Sequence, residues 1–509
     1  MSCSECSIDH GLSTDPSEVR ISVDSLRTNR RVAPNTAYAQ PDPAALARSI
    51  IEGKRELDRL TRNNISESSD ATRCAPPANS HSDGNFEINC RTALPLVTHL
   101  SYRWVDNAHL WIGILEGVAI VLNDDEQTIM LRLCDGASVN QVIEQTTSLK
   151  DAGKEKVHAL IGRLAASGFI RGIAGYTDSW QPNPRRFMRL HLTQRCNLSC
   201  IHCYADSSPM VPAAGELPTE RWIQMVDDFA QAGGERVLLT GGEALVYPGV
   251  DAIMRRAKAR RLHVTLFSNG LLVARHIETI RTCVDVVQIS VDGPNLEVND
   301  PIRGPHSFNR AKEAIDLLIN TGVPVRVGMV VMQQNWDAMQ AGFVKFAKQW
   351  EGRNIEFRLG YGLTHHGRGE DIEDYLDVAD TRPVVEQLMA QIAGPQGPKI
   401  ARSTKGCGYA EQIVVAPDGA VHPCHLLDGA ITHIDDQSFN TLIGILEGNA
   451  TDYDVDHTVG CAHCDIRNLC GGTCRIQNGK RTGNRRVTNC TAHDKAVRLR
   501  NLVKTFKIQ

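Results

Sequence analysis

The sequence predicts an α/β protein whose centre is a partial (β/α)6 barrel of the TIM-barrel type, and three observations support this. Between residues 187 and 360, six short apolar segments alternate with helix-like segments. Before them, residues 93–175 contain three strand-like segments followed by three helix signals. Beyond residue 401 the chain becomes rich in loops and cysteines. Alternating strands and helices build a parallel sheet, and barrels of this type carry their chemistry at the carboxyl ends of the strands.

These patterns divide the 509 residues into four predicted segments. The first is largely disordered, because it holds only two aromatic residues among many Ser, Asn, Asp and Pro residues. A helix is predicted inside it at Pro43–Arg62, and a linker is predicted at Thr177–Arg185. The segments are a disordered extension at 1–92, a winged-helix-like domain at 93–175, the partial barrel at 176–400 and a cysteine-rich domain at 401–509.

Individual elements follow from apolar periodicity and capping signals. Asn123 with Glu126, and Ser138 with Gln141, have the spacing of reciprocal helix caps, and a third helix is predicted over Asp151–Ser167. In the N-terminal domain the strands are predicted at Ser101–Val105, His109–Ile114 and Ala119–Leu122. The barrel strands are predicted at Phe187–Leu192, Arg236–Thr240, Leu262–Ser268, Val286–Val291, Val325–Val331 and Ile355–Gly360.

Composition excludes several classes of protein. Fifty-five basic residues against 59 acidic ones give a net charge of −4, which is a poor footprint for nucleic-acid binding, so no nucleic-acid partner is predicted. No apolar run approaches the roughly 18 residues that span a bilayer, and the first residues lack the basic start and apolar core of a signal peptide. The sequence therefore predicts a cytoplasmic protein with no membrane partner.

The cysteines are the unusual feature of this chain. There are 16 of them, and in a large cytoplasmic protein they indicate metal ligands, catalytic thiols or core residues rather than disulfides. Cys196, Cys200 and Cys203 follow the first barrel strand, and seven more lie between residues 407 and 490. Three thiolates can bind three corners of a [4Fe–4S] cluster and leave one iron open. A zinc site with His202 as the fourth ligand is the alternative that this spacing leaves open.

The spacing of Cys196, Cys200 and Cys203 resembles the radical S-adenosylmethionine superfamily. The resemblance covers residues 187–401 and continues in the segments Thr240-Gly-Gly-Glu243, Ser268-Asn-Gly270, Gln288-Ile-Ser-Val-Asp-Gly293 and Ile302-Arg-Gly304. It implies that the open iron chelates S-adenosylmethionine and that an electron from the cluster releases a 5′-deoxyadenosyl radical. The implied cofactor-binding residues are Ile201, which packs the adenine, Glu243, which binds the amino group, and Gly241, Gly242, Ser268, Ser290 and Arg303. Capping and turn roles are the alternative for Asn269 and Asp292.

The C-terminal cysteines resemble the seven-cysteine SPASM extension of the same superfamily, which implies two auxiliary [4Fe–4S] clusters and three clusters in all. One cluster would be ligated by Cys461, Cys464, Cys470 and Cys490. The other would have three irons held by Cys407, Cys424 and Cys474. No cysteine stands shortly before Cys407, so the second cluster is expected to have an open iron or a non-cysteine ligand. A pair of structural zinc knuckles is the alternative.

The segment 93–175 resembles, in its order of strands and helices, the recognition element of enzymes that mature ribosomally made, post-translationally modified peptides (RiPPs). That element binds a leader peptide as an added strand at its sheet edge. The resemblance implies that the partner is a precursor peptide or small protein with a leader, and the cluster chemistry implies a flavodoxin- or ferredoxin-type reductant. An ordinary DNA-binding winged helix is the alternative, which the acidic balance disfavours.

These resemblances together imply a radical S-adenosylmethionine/SPASM peptide maturase, similar in plan to the one that cross-links the small subunit of quinohemoprotein amine dehydrogenase. Thioether formation between a cysteine sulfur and a carbon is the predicted reaction, and carbon–carbon cross-linking is the alternative. Formylglycine-forming, anaerobic sulfatase-type maturases have an aspartate base after the cysteine that matches Cys424. His425 stands there in this chain and is the candidate catalytic residue. An iron–sulfur scaffold or electron carrier, the non-enzyme alternative, would not need Glu243 or Arg303.

Overall fold

The computed structural model describes residues 73–74, 88–89, 92–97, 99–146, 152–171, 183–360, 362–373, 376, 378–393 and 404–506. The predicted helix Pro43–Arg62 and most of the predicted linker Thr177–Arg185 lie outside these residues, as does most of the predicted extension 1–92. Within that extension, strands β1 (Arg73–Cys74) and β2 (Ile88–Asn89) pair antiparallel. The chain divides into two compact units, residues 1–178 with 503–509, and residues 179–502.

The N-terminal unit contains a three-stranded antiparallel sheet in the order β3-β4-β5. Its strands are β3 (Leu100–Val105), β4 (Ala108–Gly113) and β5 (Val118–Leu122), which agree with the three predicted strands. Asp106 and Asn107 form the first turn with positive φ angles of 49° and 57°. These two residue types tolerate the left-handed conformation that a tight hairpin needs, which explains the sharp reversal between β3 and β4.

Three helices follow the sheet, as predicted: α1 (Asp124–Cys134), α2 (Val139–Thr146) and α3 (Ala152–Ala166). Both reciprocal caps are confirmed. Asn123 and Glu126 exchange backbone-to-side-chain hydrogen bonds of 2.9 and 3.1 Å, and Ser138 and Gln141 do so at 3.3 and 2.8 Å. The apolar stripe of α3 is buried against the sheet and α1, so this unit has its own hydrophobic core.

The second unit is built on a nine-stranded sheet whose first six strands are parallel. They differ at their ends from the predicted strands by at most two residues. They are β6 (Phe187–His191), β7 (Arg236–Thr240), β8 (His263–Ser268), β9 (Val286–Ser290), β10 (Val325–Met329) and β11 (Ile355–Leu359). The α/β fold with a parallel sheet is therefore confirmed.

Helices connect these strands and cover one face of the sheet. They are α4 (Thr219–Gln231), α5 (Val250–Ala259), α6 (Val273–Cys283), α7 (Leu296–Arg303), α8 (Ser307–Asn320), α9 (Trp336–Ala347) and α10 (Val378–Ala393). Alternate strand residues such as Met188 and Leu190 are fully buried in the core between sheet and helices. The intervening residues, including Arg189 and His191, therefore face the opposite side of the sheet, toward the barrel interior.

The cysteine-rich region is more ordered than the sequence predicts, because three of its strands extend the barrel sheet. Strand β12 (Ile413–Val415) pairs parallel with β6, and β13 (Ala420–His422) and β14 (Thr432–His433) follow antiparallel. Four helices complete the region: α11 (Phe439–Asp452), α12 (Arg467–Cys470), α13 (Arg475–Thr482) and α14 (Ala492–Phe506). Among the helices that the structure describes, none combines the length and the apolarity needed to cross a bilayer.

Candidate active site

A cavity of about 500 Å³ lies at the carboxyl ends of the barrel strands. Its wall includes loop residues that follow β6, β7, β8, β9, β10 and β11, which is where catalytic loops belong in such barrels. Six of the seven predicted cofactor-binding residues line it, namely Gly241, Gly242, Glu243, Ser268, Ser290 and Arg303. The three cysteines Cys196, Cys200 and Cys203 line it as well.

The cysteine loop after β6 brings three thiols together at this cavity. Cys196 and Cys200 are buried. Burial, and the neighbouring thiols of Cys200 and Cys203, raise the pKa of Cys196 to about 12. The backbone N–H of Leu198 and the side-chain amide of Asn269 both donate to the Cys196 sulfur, at 3.4 and 3.8 Å. Buried thiols that raise one another's pKa and receive N–H donors suit a positively charged metal group, which favours thiolates.

The Gly-Gly-Glu turn after β7 is packed directly on the start of the cysteine loop. A Cβ atom on Gly241 would lie 2.5 Å from the Thr193 carbonyl oxygen, and one on Gly242 would lie 2.4 Å from that of Arg195. Gly241 also has a φ of +148°. The two glycines are therefore required by the close approach of the chain's own backbone, which fixes the cysteine loop against the second strand.

Glu243 is buried, and its carboxylate joins the ends of two strands. One oxygen accepts from the backbone N–H of Leu245 at 3.1 Å, and the other accepts from that of Asn269 at 2.7 Å. Burial raises the pKa of Glu243, while these backbone bonds, a bond from Ser268 and the charge of Arg303 oppose the shift. The carboxylate is thus held in one orientation on the cavity wall, where it can accept from an ammonium group.

Asp292, which is fully buried, and Arg303 form an ion pair on the wall of the cavity. Arg303 Nη1 donates to Asp292 Oδ2 at 2.6 Å, and Val330 N–H donates to Oδ1 at 2.7 Å. His202 Nε2 also lies 3.2 Å from Oδ2. Burial alone would raise the pKa of Asp292, but His202 and Arg303 hold it well below its usual range. This pair ties the cysteine loop, through His202, to strands β9 and β10.

The structure places His202, rather than Ile201, on the cavity wall. Ile201 is absent from the lining among the described residues, and its backbone N–H donates to the Ile302 carbonyl at 3.0 Å. His202 lines the cavity, and its Nδ1 atom is buried with no partner among the described residues. The residue directly before Cys203 therefore presents the aromatic ring to the cavity, whereas the sequence analysis assigned the adenine contact to Ile201.

Arg189, Tyr204 and His425 also line the cavity. The hairpin of β12 and β13 extends the sheet beside β6, and His425 lies three residues beyond the end of β13. The rings of Tyr204 and His425 meet edge to face, with centroids 5.9 Å apart. Burial, followed by the charges of Arg189 and His366, lowers the pKa of His425 to about 4. The imidazole is therefore uncharged near neutral pH.

A loop that the sequence analysis did not single out covers the cysteine loop. Arg368 donates from Nε to the Cys200 carbonyl at 3.0 Å and from Nη2 to the Ser207 carbonyl at 2.8 Å. Gly367 has a φ of +56°, and a Cβ there would lie 2.5 Å from the Tyr204 carbonyl oxygen. Lys480 of α13 pairs with Glu370 in the same loop. The segment after β11 thus connects the cysteine loop to the cysteine-rich region.

Neighbouring thiols act on one another within two groups of the C-terminal cysteines. Burial, together with the thiols of Cys407 and Cys474, raises the pKa of Cys424 to about 11. Burial also raises the pKa of Cys461 and of Cys490, and both are raised further by the Cys470 thiol. Cys464 acts on Cys461 and Cys470 in the same way. Because thiols influence one another only at short range, each set lies within one small region.

The arrangement of donors at these thiol sets does not suit a single metal ion. Within the described residues, no three His, Cys, Asp or Glu side chains converge so as to hold a single metal ion. A [4Fe–4S] cluster binds each thiolate through a different iron, so it does not require such convergence. The donors around the thiols are cationic: Arg498 Nη1 lies 2.8 Å from the Cys470 sulfur, and Arg303 lowers the pKa of Cys200 against its burial. The donor sets therefore fit anionic thiolate clusters.

Comparison with known proteins agrees with this geometry. Residues 190–341 match the model of the Radical SAM superfamily. The AdoMet-dependent heme synthase of Methanosarcina barkeri is 29% identical, over 59% of this chain and 94% of that protein. A second relative is the antilisterial bacteriocin subtilosin biosynthesis protein AlbA of Bacillus subtilis. It is 30% identical over 46% of this chain and 54% of the AlbA chain.

A third relative is the PqqA peptide cyclase of Granulibacter bethesdensis, which is 26% identical over 58% of this chain and 84% of that protein. The residues matched by the family model include the whole cysteine loop, the Gly-Gly-Glu turn and the Asp292–Arg303 pair. The family binds S-adenosylmethionine and a [4Fe–4S] cluster. The cavity at the strand ends is therefore that of a radical SAM domain, which this chain contains.

Proposed function

We propose that this protein is a radical S-adenosylmethionine enzyme that modifies a ribosomally made peptide or small protein, most simply by forming a thioether cross-link. The observation that carries the proposal is the make-up of the cavity wall. Cys196, Cys200 and Cys203 line it, and so does His425, which directly follows Cys424 of a second proposed thiol set. A substrate in this cavity would lie beside the radical site and next to a segment of the cysteine-rich region.

The chain's own residues would hold the cofactor at the end of the cavity nearer to β7 and β8. Cys196, Cys200 and Cys203 would ligate the cluster, and Glu243 would accept from the amino group of S-adenosylmethionine. Ser268, Ser290 and Arg303 would receive its ribose and carboxylate, and His202 would face its adenine. When bound, cluster and cofactor supply a 5′-deoxyadenosyl radical. Leu198, Asn269 and Arg368 keep the cysteine loop in place by the contacts described above.

The thioether assignment rests on the incomplete thiol set of Cys407, Cys424 and Cys474. A thioether requires the substrate to lose two protons, one from carbon and one from sulfur, and two electrons. The radical would take one proton and one electron together as a hydrogen atom, and an auxiliary cluster held by these cysteines would accept the second electron. A set with only three cysteines leaves one iron free for a substrate sulfur. A carbon–carbon cross-link needs no such free position and is the second reaction.

The peptide substrate is supported by two of the relatives, since their names refer to a bacteriocin and to a peptide cyclase. The domain plan proposed here is similar to the one expected for the maturase of quinohemoprotein amine dehydrogenase. A tetrapyrrole is the second candidate substrate, because of the similarity to heme synthase. Arg189 favours a carboxylate-bearing molecule of either kind, since its Nε is buried at the cavity wall with no partner among the described residues. A formylglycine-forming reaction is less well supported, because a neutral His425 replaces the aspartate base.

The N-terminal unit would bind the leader of the precursor. Its sheet ends in β5 on one side, and the outer edge of β5 pairs with no other strand within the described residues. The edge of β5 lies beside α3, because Arg163 donates to the Val121 carbonyl at 2.7 Å. A leader strand added there would make main-chain hydrogen bonds to β5 and side-chain contacts to α3. A flavodoxin- or ferredoxin-type protein would supply the electrons.

The test separates substrate capture from radical formation. Deleting residues 1–175 should leave reductive cleavage of S-adenosylmethionine intact, while modification of the precursor falls at least about tenfold, because a bound leader raises the local concentration of the core peptide. The substrate is taken from short cysteine-containing reading frames beside the gene, each coexpressed and examined by mass spectrometry for loss of two hydrogens per cross-link. Full modification by the deletion variant would contradict the leader-binding role. Failure of every candidate peptide, with conversion of a tetrapyrrole, would contradict the peptide proposal.

A further inference from the structure

Arg475 is an arginine with no exposed surface, which is rare for this residue type. It directly follows Cys474 and begins α13. Its three side-chain bonds all go to backbone carbonyls: Nε donates to Tyr453, Nη1 to Thr473 and Nη2 to Gly471. Among the described residues, no carboxylate pairs with it. A permanently charged guanidinium is therefore buried with only carbonyl dipoles around it.

Such an arrangement is costly unless an anion compensates for it. The neighbouring groups that can be anionic are thiols. Arg475 directly follows Cys474 of one auxiliary set, and its Nη2 donates to the carbonyl of Gly471, which directly follows Cys470 of the other set. Arg475 therefore lies between the two sets and is the counter-charge that both can share.

The backbone around Arg475 is shaped to admit the guanidinium. Gly472 has a φ of +76°, and a Cβ there would lie 2.7 Å from Arg475 Nη1. Gly471 has a φ of +69°, and a Cβ there would lie 2.6 Å from the carbonyl oxygen of Gly406, the residue before Cys407. The two glycines between Cys470 and Cys474 therefore allow two close contacts at once. Gly472 packs against the guanidinium, and Gly471 packs against the backbone just before Cys407.

We propose that Arg475 is a positioning residue that sets the reduction potentials of both auxiliary clusters, an inference that rests on the proposed clusters. Reduction adds negative charge to a thiolate cluster, and a nearby buried cation stabilises the reduced form more than the oxidised form. Because Arg475 is fully buried, its charge is only weakly screened by solvent. Removing the charge should lower both potentials together and leave the potential of the Cys196/Cys200/Cys203 cluster unchanged.

The experiment compares Arg475→Gln, Arg475→Lys and Arg481→Gln on the full chain, with anaerobic reconstitution, iron analysis and redox titration followed by electron paramagnetic resonance. Arg481 lies on the same helix but is exposed, and serves as the control. Arg475→Gln should shift the reduction equilibrium of the auxiliary clusters at least tenfold toward the oxidised form, which is 59 mV for a one-electron couple. Arg475→Lys, which keeps the charge, should stay near the wild-type potential.

Two results would overturn the inference. One is an Arg475→Gln protein that binds as much iron as the wild type and whose auxiliary clusters keep the wild-type reduction potentials. The other is an equal shift or equal iron loss in the Gln and Lys variants, since a purely structural role depends on the hydrogen bonds and not on the charge. If only the Gln variant fails to load its auxiliary clusters, the charge role is supported. Wild-type protein with only about four irons would instead contradict the proposed auxiliary clusters. Iron analysis of the wild type therefore distinguishes a failure of the proposed clusters from a failure of the proposed role of Arg475.

Discussion

The triple variant Cys196→Ala, Cys200→Ala, Cys203→Ala is expected to form no 5′-deoxyadenosine and yet to retain about eight of about twelve irons. These three thiols line the cavity with the predicted cofactor residues, while the seven C-terminal cysteines form separate sets. Removing the first set therefore removes the radical site alone. The measurements are iron and sulfide analysis, and chromatography of the products formed from S-adenosylmethionine under a chemical reductant.

A matched control for this variant is Cys283→Ala. Cys283 is also buried, but it lies at the end of α6 in the apolar core and belongs to none of the thiol sets. It should keep all its irons and full cofactor cleavage. Continued formation of 5′-deoxyadenosine in the triple variant would place the radical chemistry at another set of cysteines.

Asp292→Ala is expected to be the most destabilising single substitution near the site. It removes the partner of Arg303 and leaves a buried guanidinium unpaired, which costs roughly 3–5 kcal/mol of unfolding free energy. The same change frees His202 and the Val330 N–H. Asp227→Ala is the control. Asp227 is likewise an aspartate in ion pairs, with Arg256 and Arg260, but it lies nearer to the surface. Its loss should cost about 1 kcal/mol or less.

The stability that Asp292 contributes should depend on pH, and the direction follows from its pKa. The pKa of Asp292 is held well below that of an unfolded aspartate, which is about 3.9. Its contribution to stability is therefore fully present above about pH 4 and is lost only as the pH falls through the depressed folded-state pKa. The stability difference between wild type and Asp292→Ala, measured by denaturant unfolding, should decrease as the pH falls below about 4. Equal small losses in both variants would contradict the buried-pair account.

Local signals in the sequence predicted the element order well where each element is set by its own residues. The reciprocal caps at Asn123 and Ser138 and the six apolar barrel segments are examples, since capping and two-residue alternation act within a few residues. Strands β12 to β14 were missed because they are very short and because β12 depends on pairing with β6, far away in the chain. No periodicity within three residues can reveal such a pairing.

The cavity residues were mostly predictable, because strand-end motifs meet at one edge of a parallel sheet. The exceptions depend on three-dimensional contacts. The structure was needed to see that, of the two residues Ile201 and His202, His202 lines the cavity while the Ile201 N–H donates to the Ile302 carbonyl. Gly241 and Gly242 line the cavity, and a Cβ on either would also meet the backbone of Thr193 or Arg195. The role of Arg368 required knowing that the loop after β11 folds back on the cysteine loop.

The central claim is that this chain holds three four-iron clusters, one of which cleaves S-adenosylmethionine. The most direct test is to purify the full chain anaerobically, determine iron, sulfide and zinc together, and measure 5′-deoxyadenosine formed on reduction. The account predicts about twelve irons with matching sulfide, negligible zinc and reductive cleavage of the cofactor. Stoichiometric zinc with little iron, and no 5′-deoxyadenosine, would contradict it.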